Sequence, residues 1–300
     1  MTEPNALPTG SPPYITLGLM LGDAHVEVLE RCLRSVLERT GGPLVDEIVL
    51  GWNGKETARF FEVLKKLRYV FVRDISAPHG LPPMIVIPFE WPGRFDTARN
   101  IYWKHCKGEW ILWLDGDDQI CDAGTPEGLK AIEQVEKDYG LPPVPPGANA
   151  PITLRNWLKS LPPRVNTVFS PYNYIIDENG YVVVRQKMKR IVRRSAGHVW
   201  HSPEQSGIHE MLTCIGGVPE TMAETFGLLV QHYPSQTERE RVLRNKSIVE
   251  QLTKPGVLSD PRHAFDVANA ALVAGNMVQA NEAISSAIVH AHNDMDAYTY

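Results

Sequence analysis

The run Trp110-Ile111-Leu112-Trp113-Leu114 passes without a break into Asp115-Gly116-Asp117-Asp118, and no other stretch constrains the fold as much. A short continuous apolar run bounded by turn residues reads as a strand buried on both faces. Such strands belong to sheets covered by helices, and open α/β sheets bind ligands at the carboxyl ends of their strands. Here that end carries three carboxylates. Side chains at i and i+2 of an extended segment share a face, so Asp115 and Asp117 can converge on one cation. Gly116 between them leaves room for a ligand's backbone or sugar. An isolated Asp-Gly-Asp more often marks a turn than a metal site; the segments before it give it weight.

Those segments alternate. Tyr14 to Leu21 reads as a strand, and Val26, Leu29, Cys32, Leu33, Val36 and Leu37 then repeat at helical spacing up to Gly41-Gly42-Pro43. Glu47 to Gly51 is a second strand closing at Trp52-Asn53-Gly54. Thr57 to Leu67 is a helix, Tyr69 to Arg73 a short strand and Met84 to Phe89 another. Thr97 to Lys107 is predicted as a helix stopped by Gly108. Strands alternating with helices of this length indicate βαβ units and a largely parallel sheet.

After the carboxylates the rhythm changes. Thr125-Pro126 starts a helix running to about Tyr139, and the proline-rich Gly140 to Pro151 is predicted as a loop. Val165 to Ile176 and Tyr181 to Val192 flank an Asn179-Gly180 turn, a hairpin signal that makes the sheet mixed in its second half. From Thr237 on only helical patterns remain: Thr237–Leu252, Pro261–Asn276 and Met277–His292. Ala268, Gly275, Ala280 and Ala287 put small residues where antiparallel helices touch. The expected division is a disordered tail over 1–13, an α/β domain over 14–233 and a helical segment over 234–300.

A net charge of −5 argues against wholesale binding to nucleic acid. The start of the chain has no basic or apolar signal region, and no apolar run reaches membrane-spanning length. Cys32, Cys106, Cys121 and Cys214 show no C-x-x-C spacing and read as free thiols in a reducing, cytoplasmic compartment.

Three blocks of residues resemble the GT-A glycosyltransferases of the large inverting family 2, and more narrowly the bacterial branch with C-terminal tetratricopeptide-like helices. They are Ile15 to Leu37; Phe95-Asp96-Thr97-Ala98-Arg99-Asn100 followed by Gly108 to Asp118; and Lys189 to Arg193 followed by Gly207-Ile208-His209-Glu210. The resemblance implies a GT-A fold, that is, a Rossmann-like mixed sheet of the nucleotide-diphospho-sugar transferases, with a helical tetratricopeptide-like extension. It implies transfer of a hexose from a nucleotide-sugar donor, a UDP-sugar foremost, with inversion and with Mn²⁺ or Mg²⁺. The acceptor it leaves open is a protein, a saccharide, a lipid-linked glycan or, last, a nucleic acid. The helical tail is expected to serve a protein partner.

The resemblance also assigns residues. Asp117 is the foremost metal ligand, with Asp115 on the ribose, a metal-bound water or the metal itself; Asp118 is a third contributor or a solvated turn residue. Arg99 is the donor-facing arginine, able to fork onto a phosphate; otherwise Asp96 and Arg99 are a surface pair. Asp23 caps the first helix or lines the nucleotide pocket, next to Asn53 and Gly116. Trp52 stands where relatives often carry an acid, so a stacking contact is the expectation there. Glu210 is the general base, and His209 orients the acceptor or touches metal. His232, opening His-Tyr-Pro where relatives often have His-Tyr-Gly, is a metal residue or a packing residue. His198, Trp200 and His201 shape an acceptor pocket. The basic run Arg185 to Arg194 is a solvated face or a diphosphate contact. Two other readings compete: a non-catalytic binding module, and a sugar-1-phosphate nucleotidyltransferase. The latter lacks the basic glycine-rich first loop at Gly22-Asp23-Ala24-His25.

Overall fold

The computed structural model describes residues 14–39, 42–67, 69–72, 74–76, 80–121, 126–139, 151–176, 182–202, 210–215, 218–225, 228–234 and 275–293, with 240, 264, 267–268 and 271–272. The order begins β1 (Ile15–Leu21), α1 (Val26–Leu37), β2 (Glu47–Trp52), α2 (Thr57–Lys66), β3 (Val70–Val72), β4 (Asp74–Ser76), β5 (Met84–Pro88), α3 (Phe95–Trp103) and β6 (Trp110–Asp115). It continues with β7 (Asp118–Ile120), α4 (Pro126–Tyr139), α5 (Pro151–Ser160), β8 (Thr167–Ile176), β9 (Val182–Arg193), β10 (His198–His201), β11 (Met211–Cys214), β12 (Met222–Glu224) and β13 (Val230–His232). The helix α6 (Met277–Asn293) follows.

The main sheet runs β5-β2-β1-β6-β9-β8-β13-β7, with β12 also on β8. Its first four strands are parallel. From β9 onward it is mixed, because the β8–β9 hairpin enters antiparallel to β6. This is the mixed α/β sheet expected from the sequence. β6 shows why it must be covered on both sides. Trp110, Leu112 and Leu114 pack into the core that holds the apolar face of α1, while Ile111 and Trp113 pack with Ala98, Tyr102 and Trp103 of α3. The period of two sends alternate side chains to opposite layers, so an unbroken apolar run is what a central strand requires.

Several boundaries differ from the expectation. α3 starts at Phe95 and stops at Trp103, where His105 and Cys106 amides turn back to the Tyr102 and Trp103 carbonyls. Gly108 therefore does not end the helix. It lets the chain pass Thr16: a Cβ there would lie 2.6 Å from the Thr16 backbone nitrogen. The stretch between Pro151 and Val165 holds α5, which the prolines around it concealed; its Leu154 and Leu158, one turn apart, are buried. The short strands β4, β7, β10, β11, β12 and β13 were not anticipated. The predicted tail over 1–13, the loop over 140–150, the Asn179-Gly180 turn and all of the helix Thr237–Leu252 but Glu240 lie outside the described residues. α6 occupies the last predicted helix, and its Ala283 packs with Val267 and Ala268.

Because the contact at Gly108 is with backbone, no rotamer change relieves it. Gly108→Ala is expected to lower stability by about 1–3 kcal/mol, read as a fall in the urea midpoint without a change in slope.

Candidate active site

The carboxyl end of β6 gathers the site, and the strand period divides its acids. Asp115 continues the Ile111–Trp113 face and so points toward α3, where Arg99 Nη2 donates to its Oδ1 at 2.8 Å. Asp118 opens β7 and turns the other way. It is fully buried, with Oδ2 accepting the Asp115 backbone N–H at 3.0 Å and an ion pair from Arg190 Nη2 at 3.0 Å. Its Oδ1 accepts the Tyr172 hydroxyl at 2.9 Å. Arg190 is itself fully buried, with its guanidinium 4.1 Å from the Trp113 ring and 4.3 Å from that of Tyr172. Two sequence readings are corrected here. Asp118 is not a solvated turn residue, and the basic run is not wholly a solvated face, because strand alternation turns Arg190 inward.

β13 brings the third component. It pairs antiparallel with β7 so that His232 sits opposite Asp118. His232 Nδ1 lies 3.5 Å from Asp118 Oδ1 and 3.7 Å from Asp117 Oδ1, a buried nitrogen with no well-formed hydrogen bond. Burial alone would lower its pKa, but the Asp118 and Asp117 carboxylates outweigh that and raise it. Donor atoms of Asp117, Asp118 and His232 all lie within 4.8 Å of one another. The Asp117 carboxylate suits Mg²⁺ or Mn²⁺, the orphaned His232 nitrogen fits a further ligand position, and Asp118 has both oxygens engaged already. Asp115 is not part of that group: its carboxylate is turned to Arg99.

The strand β10 is joined to the site through α3. Asp96 Oδ2 accepts the Ser202 amide at 3.0 Å, Asn100 makes two hydrogen bonds to the Trp200 backbone, and Trp103 Nε1 donates to the His198 carbonyl at 2.9 Å. Three or four residues of helix rise about 4.5–6 Å, and two residues of strand about 6.6 Å. The two ladders therefore stay in step. Asp96 and Arg99 are accordingly not a surface pair. Arg99 lies on the next face of the helix, 4.5 Å from the Trp200 ring, and Nε donates to Glu210 Oε1 at 2.7 Å. One buried guanidinium thus holds Asp115 and Glu210 together. With Nε and Nη2 committed, it is not an open fork for a phosphate. Burial would raise the Asp115 carboxyl, but Arg99 and then Arg190 hold it well below the usual range. For Glu210 burial prevails and Arg99 only partly offsets it, so its pKa is raised.

Other expectations fall differently. Asp23 does not cap the first helix: its carboxylate accepts the Lys55 and Glu56 amides, just ahead of α2, at 3.0 and 2.8 Å, which lowers its pKa. Trp52 is 5% exposed and stacked on Phe60 with centroids 4.2 Å apart, so one ring face belongs to the core and is closed to a base. Asn53 holds its side-chain oxygen against Gly22. The space beside Gly116 is taken by Leu21 and His25, at 2.6 and 2.9 Å from a built Cβ, so the glycine admits these side chains rather than a sugar. A cleft of about 600 Å³, lined by Trp52, Gly54, Thr57, Phe61, Val86 and Phe89, opens at the same sheet edge, beyond β2. His201 is exposed, Trp200 is buried under Arg99, and His198, two residues along the same strand face, meets Thr167 instead. His209 lies outside the described residues. Arg190, Tyr172 and Trp113 were not singled out from the sequence. The one signal for Arg190 was its place in an alternating strand.

Residues 25–188 match the sequence profile described as glycosyl transferase family 2, more than half of the chain. The chain belongs to glycosyl transferase family 2. No curated protein matches this family member. Among solved structures it is similar to S. aureus TarS at 12% identity, over 95% of this chain and 54% of that one, with a TM-score of 0.41. It thus spans about half the length of that TarS chain. A TarS 1–349 structure in complex with UDP-GlcNAc gives 10% identity, coverage of 96% and 93%, and a TM-score of 0.40. The 4-diphosphocytidyl-2C-methyl-D-erythritol synthase from Anaerococcus prevotii gives 12% identity, coverage of 78% and 96%, and a TM-score of 0.37. At these scores the overlaps carry no inference about activity.

Removing one partner of a buried ion pair strands the other charge. Arg190→Ala is expected to cost about 3–5 kcal/mol. The double change Arg190→Met with Asp118→Leu should recover much of that stability in urea melts, yet leave the Asp115 amide without its acceptor and the site inactive. Without metal, the stabilisation from His232 should be fully present below the ordinary imidazole pKa of 6.5 and be lost as pH rises through the raised folded value. Melting-temperature profiles of His232→Gln against wild type check this.

Proposed function

We propose that the chain is a metal-dependent glycosyltransferase that moves a hexose from a nucleotide-diphosphate sugar, UDP-linked foremost, to an acceptor hydroxyl with inversion. The observation that carries this reading is the Arg99 bridge, which places Asp115 at the end of β6 and Glu210 ahead of β11 on one guanidinium. A donor half and an acceptor half thereby share one site.

Asp117 and His232 are the residues that would hold Mn²⁺ or Mg²⁺, with Asp118 behind them fixed by Arg190 and Tyr172. A divalent ion supplies Lewis-acid neutralisation of the departing diphosphate. Glu210 accepts the acceptor hydroxyl's proton while that oxygen attacks the anomeric carbon from the face opposite the leaving group, which gives inversion. Its raised pKa makes it a stronger base than an ordinary carboxylate. Arg99 positions the two acids, and its contact with Glu210 limits that rise. The cleft beyond β2 is the place for the nucleoside. Residues 234–300 we read as a tetratricopeptide-like segment that binds a protein partner, and 14–233 as the catalytic domain.

A turnover screen of nucleotide-sugars with Mn²⁺ or Mg²⁺ tests the reading; absence of any metal-dependent hydrolysis or transfer across the common donors would sink it. Asp117→Asn should abolish metal-dependent turnover. Glu210→Gln should leave donor affinity by calorimetry intact and lower transfer by about 10²–10⁴-fold. The base works deprotonated, so the acidic limb of kcat should lie above the ordinary glutamate value of 4.5. In Arg99→Met it should move further up, since a cation that lowers the Glu210 pKa is gone; a limb that stays put removes Glu210 as the base.

A further inference from the structure

Two residues along β10 from Trp200, on the same face of the strand, lies a second cluster that the proposed reaction does not use. His198 and Cys214 face each other across the β10–β11 pair, so the ladder itself places their side chains together. His198 Nε2 lies 3.1 Å from Cys214 Sγ, 3.5 Å from Glu220 Oε1 and 3.0 Å from the Thr167 hydroxyl. One ring nitrogen forms one hydrogen bond along its axis, yet three polar groups converge on this one, and the imidazole is 1% exposed. The donor atoms of His198, Cys214 and Glu220 all lie within 4.8 Å of one another.

We propose that His198, Cys214 and Glu220 form a site for a divalent cation of the zinc class, separate from the one at Asp117 and His232. The donor set decides the class: a thiolate and an imidazole favour a borderline-soft ion over Mg²⁺ or Mn²⁺. The spacing agrees. A tetrahedral ion at about 2.3 Å from sulfur and about 2.0–2.1 Å from nitrogen holds the two roughly 3.5 Å apart, against 3.1 Å here. Thr167 and Lys189 both donate to Glu220 Oε1 and so orient the carboxylate. The Lys189 ammonium offsets one of the two anionic ligands, and water completes the tetrahedron. The ion ties the β10–β11 hairpin to β8 and β9, and that hairpin carries Trp200 beneath Arg99 and begins its return strand directly after Glu210.

The test uses the full chain stripped with chelator and titrated with Co²⁺. The expected result is a sulfur-to-cobalt charge-transfer band with tetrahedral d–d bands, saturating near one equivalent and displaced by Zn²⁺. The band should persist in Asp117→Asn and vanish in Cys214→Ala and in His198→Ala. Zn²⁺ should raise the melting temperature of wild type and of Asp117→Asn but not of Cys214→Ala, a check that needs no activity. A wild type with no thiolate–cobalt band, or a band unchanged in Cys214→Ala, overturns the site and leaves a hydrogen-bonded cluster only. Because the readout is independent of sugar transfer, its failure and that of the glycosyltransferase reading are told apart.

Discussion

The ion pair between Asp118 and Arg190 is what the rest of the catalytic edge depends on. Both side chains are fully buried, and a buried pair earns stability only when its remaining hydrogen-bonding capacity is met. Asp118 meets this through the Asp115 amide and the Tyr172 hydroxyl; Arg190 meets it only in part, with Nη2 on Asp118, Nε and Nη1 without a hydrogen bond, and the guanidinium against the rings of Trp113 and Tyr172. Strands β6, β7, β8 and β9 are thus locked at one point. The pair also turns the chain between Asp115 and Asp118 sharply enough to send consecutive acids to different partners. Asp115 goes to Arg99, while Asp117 and Asp118 go to His232.

A second cation, Arg99, plays a complementary part on the other side of Trp113, whose ring lies 5.1 Å from one guanidinium and 4.1 Å from the other. An indole thus stands between two arginines, and their charge networks meet at Asp115, which Arg99 and Arg190 both hold ionised and whose amide donates to Asp118. Asp115 is held ionised by the cations around it, and Glu210, reached by Arg99 alone among them, is left more basic.

The parallel half of the fold was legible because its signal is local. Apolar runs and helical periods in β1, α1, β2, α2 and β6 each carry enough residues to reveal their kind. The antiparallel half was legible only at the β8–β9 hairpin, where Asn179-Gly180 marks the turn. β7 and β13 have three residues each and exist because they pair with each other across more than a hundred positions. Nothing local announces such a strand. The same distance explains the site. The acids at 115–118 were visible as a group, but which of them faces a cation, a histidine or solvent depended on where Arg99, Arg190 and His232 arrive. Burial of Arg190 inverts the ordinary reading of a basic run, and no composition argument reveals that inversion.

The ladder between α3 and β10 has a consequence for the chain that follows β10. Ser202 is tied to Asp96 and Glu210 to Arg99, three residues apart on one helix. The chain between Ser202 and Glu210 therefore leaves from and returns to fixed points. Closing a longer segment between fixed points costs only a term that grows with the logarithm of its length. A change of length there need not move Glu210, because Arg99 and not the intervening chain sets its position.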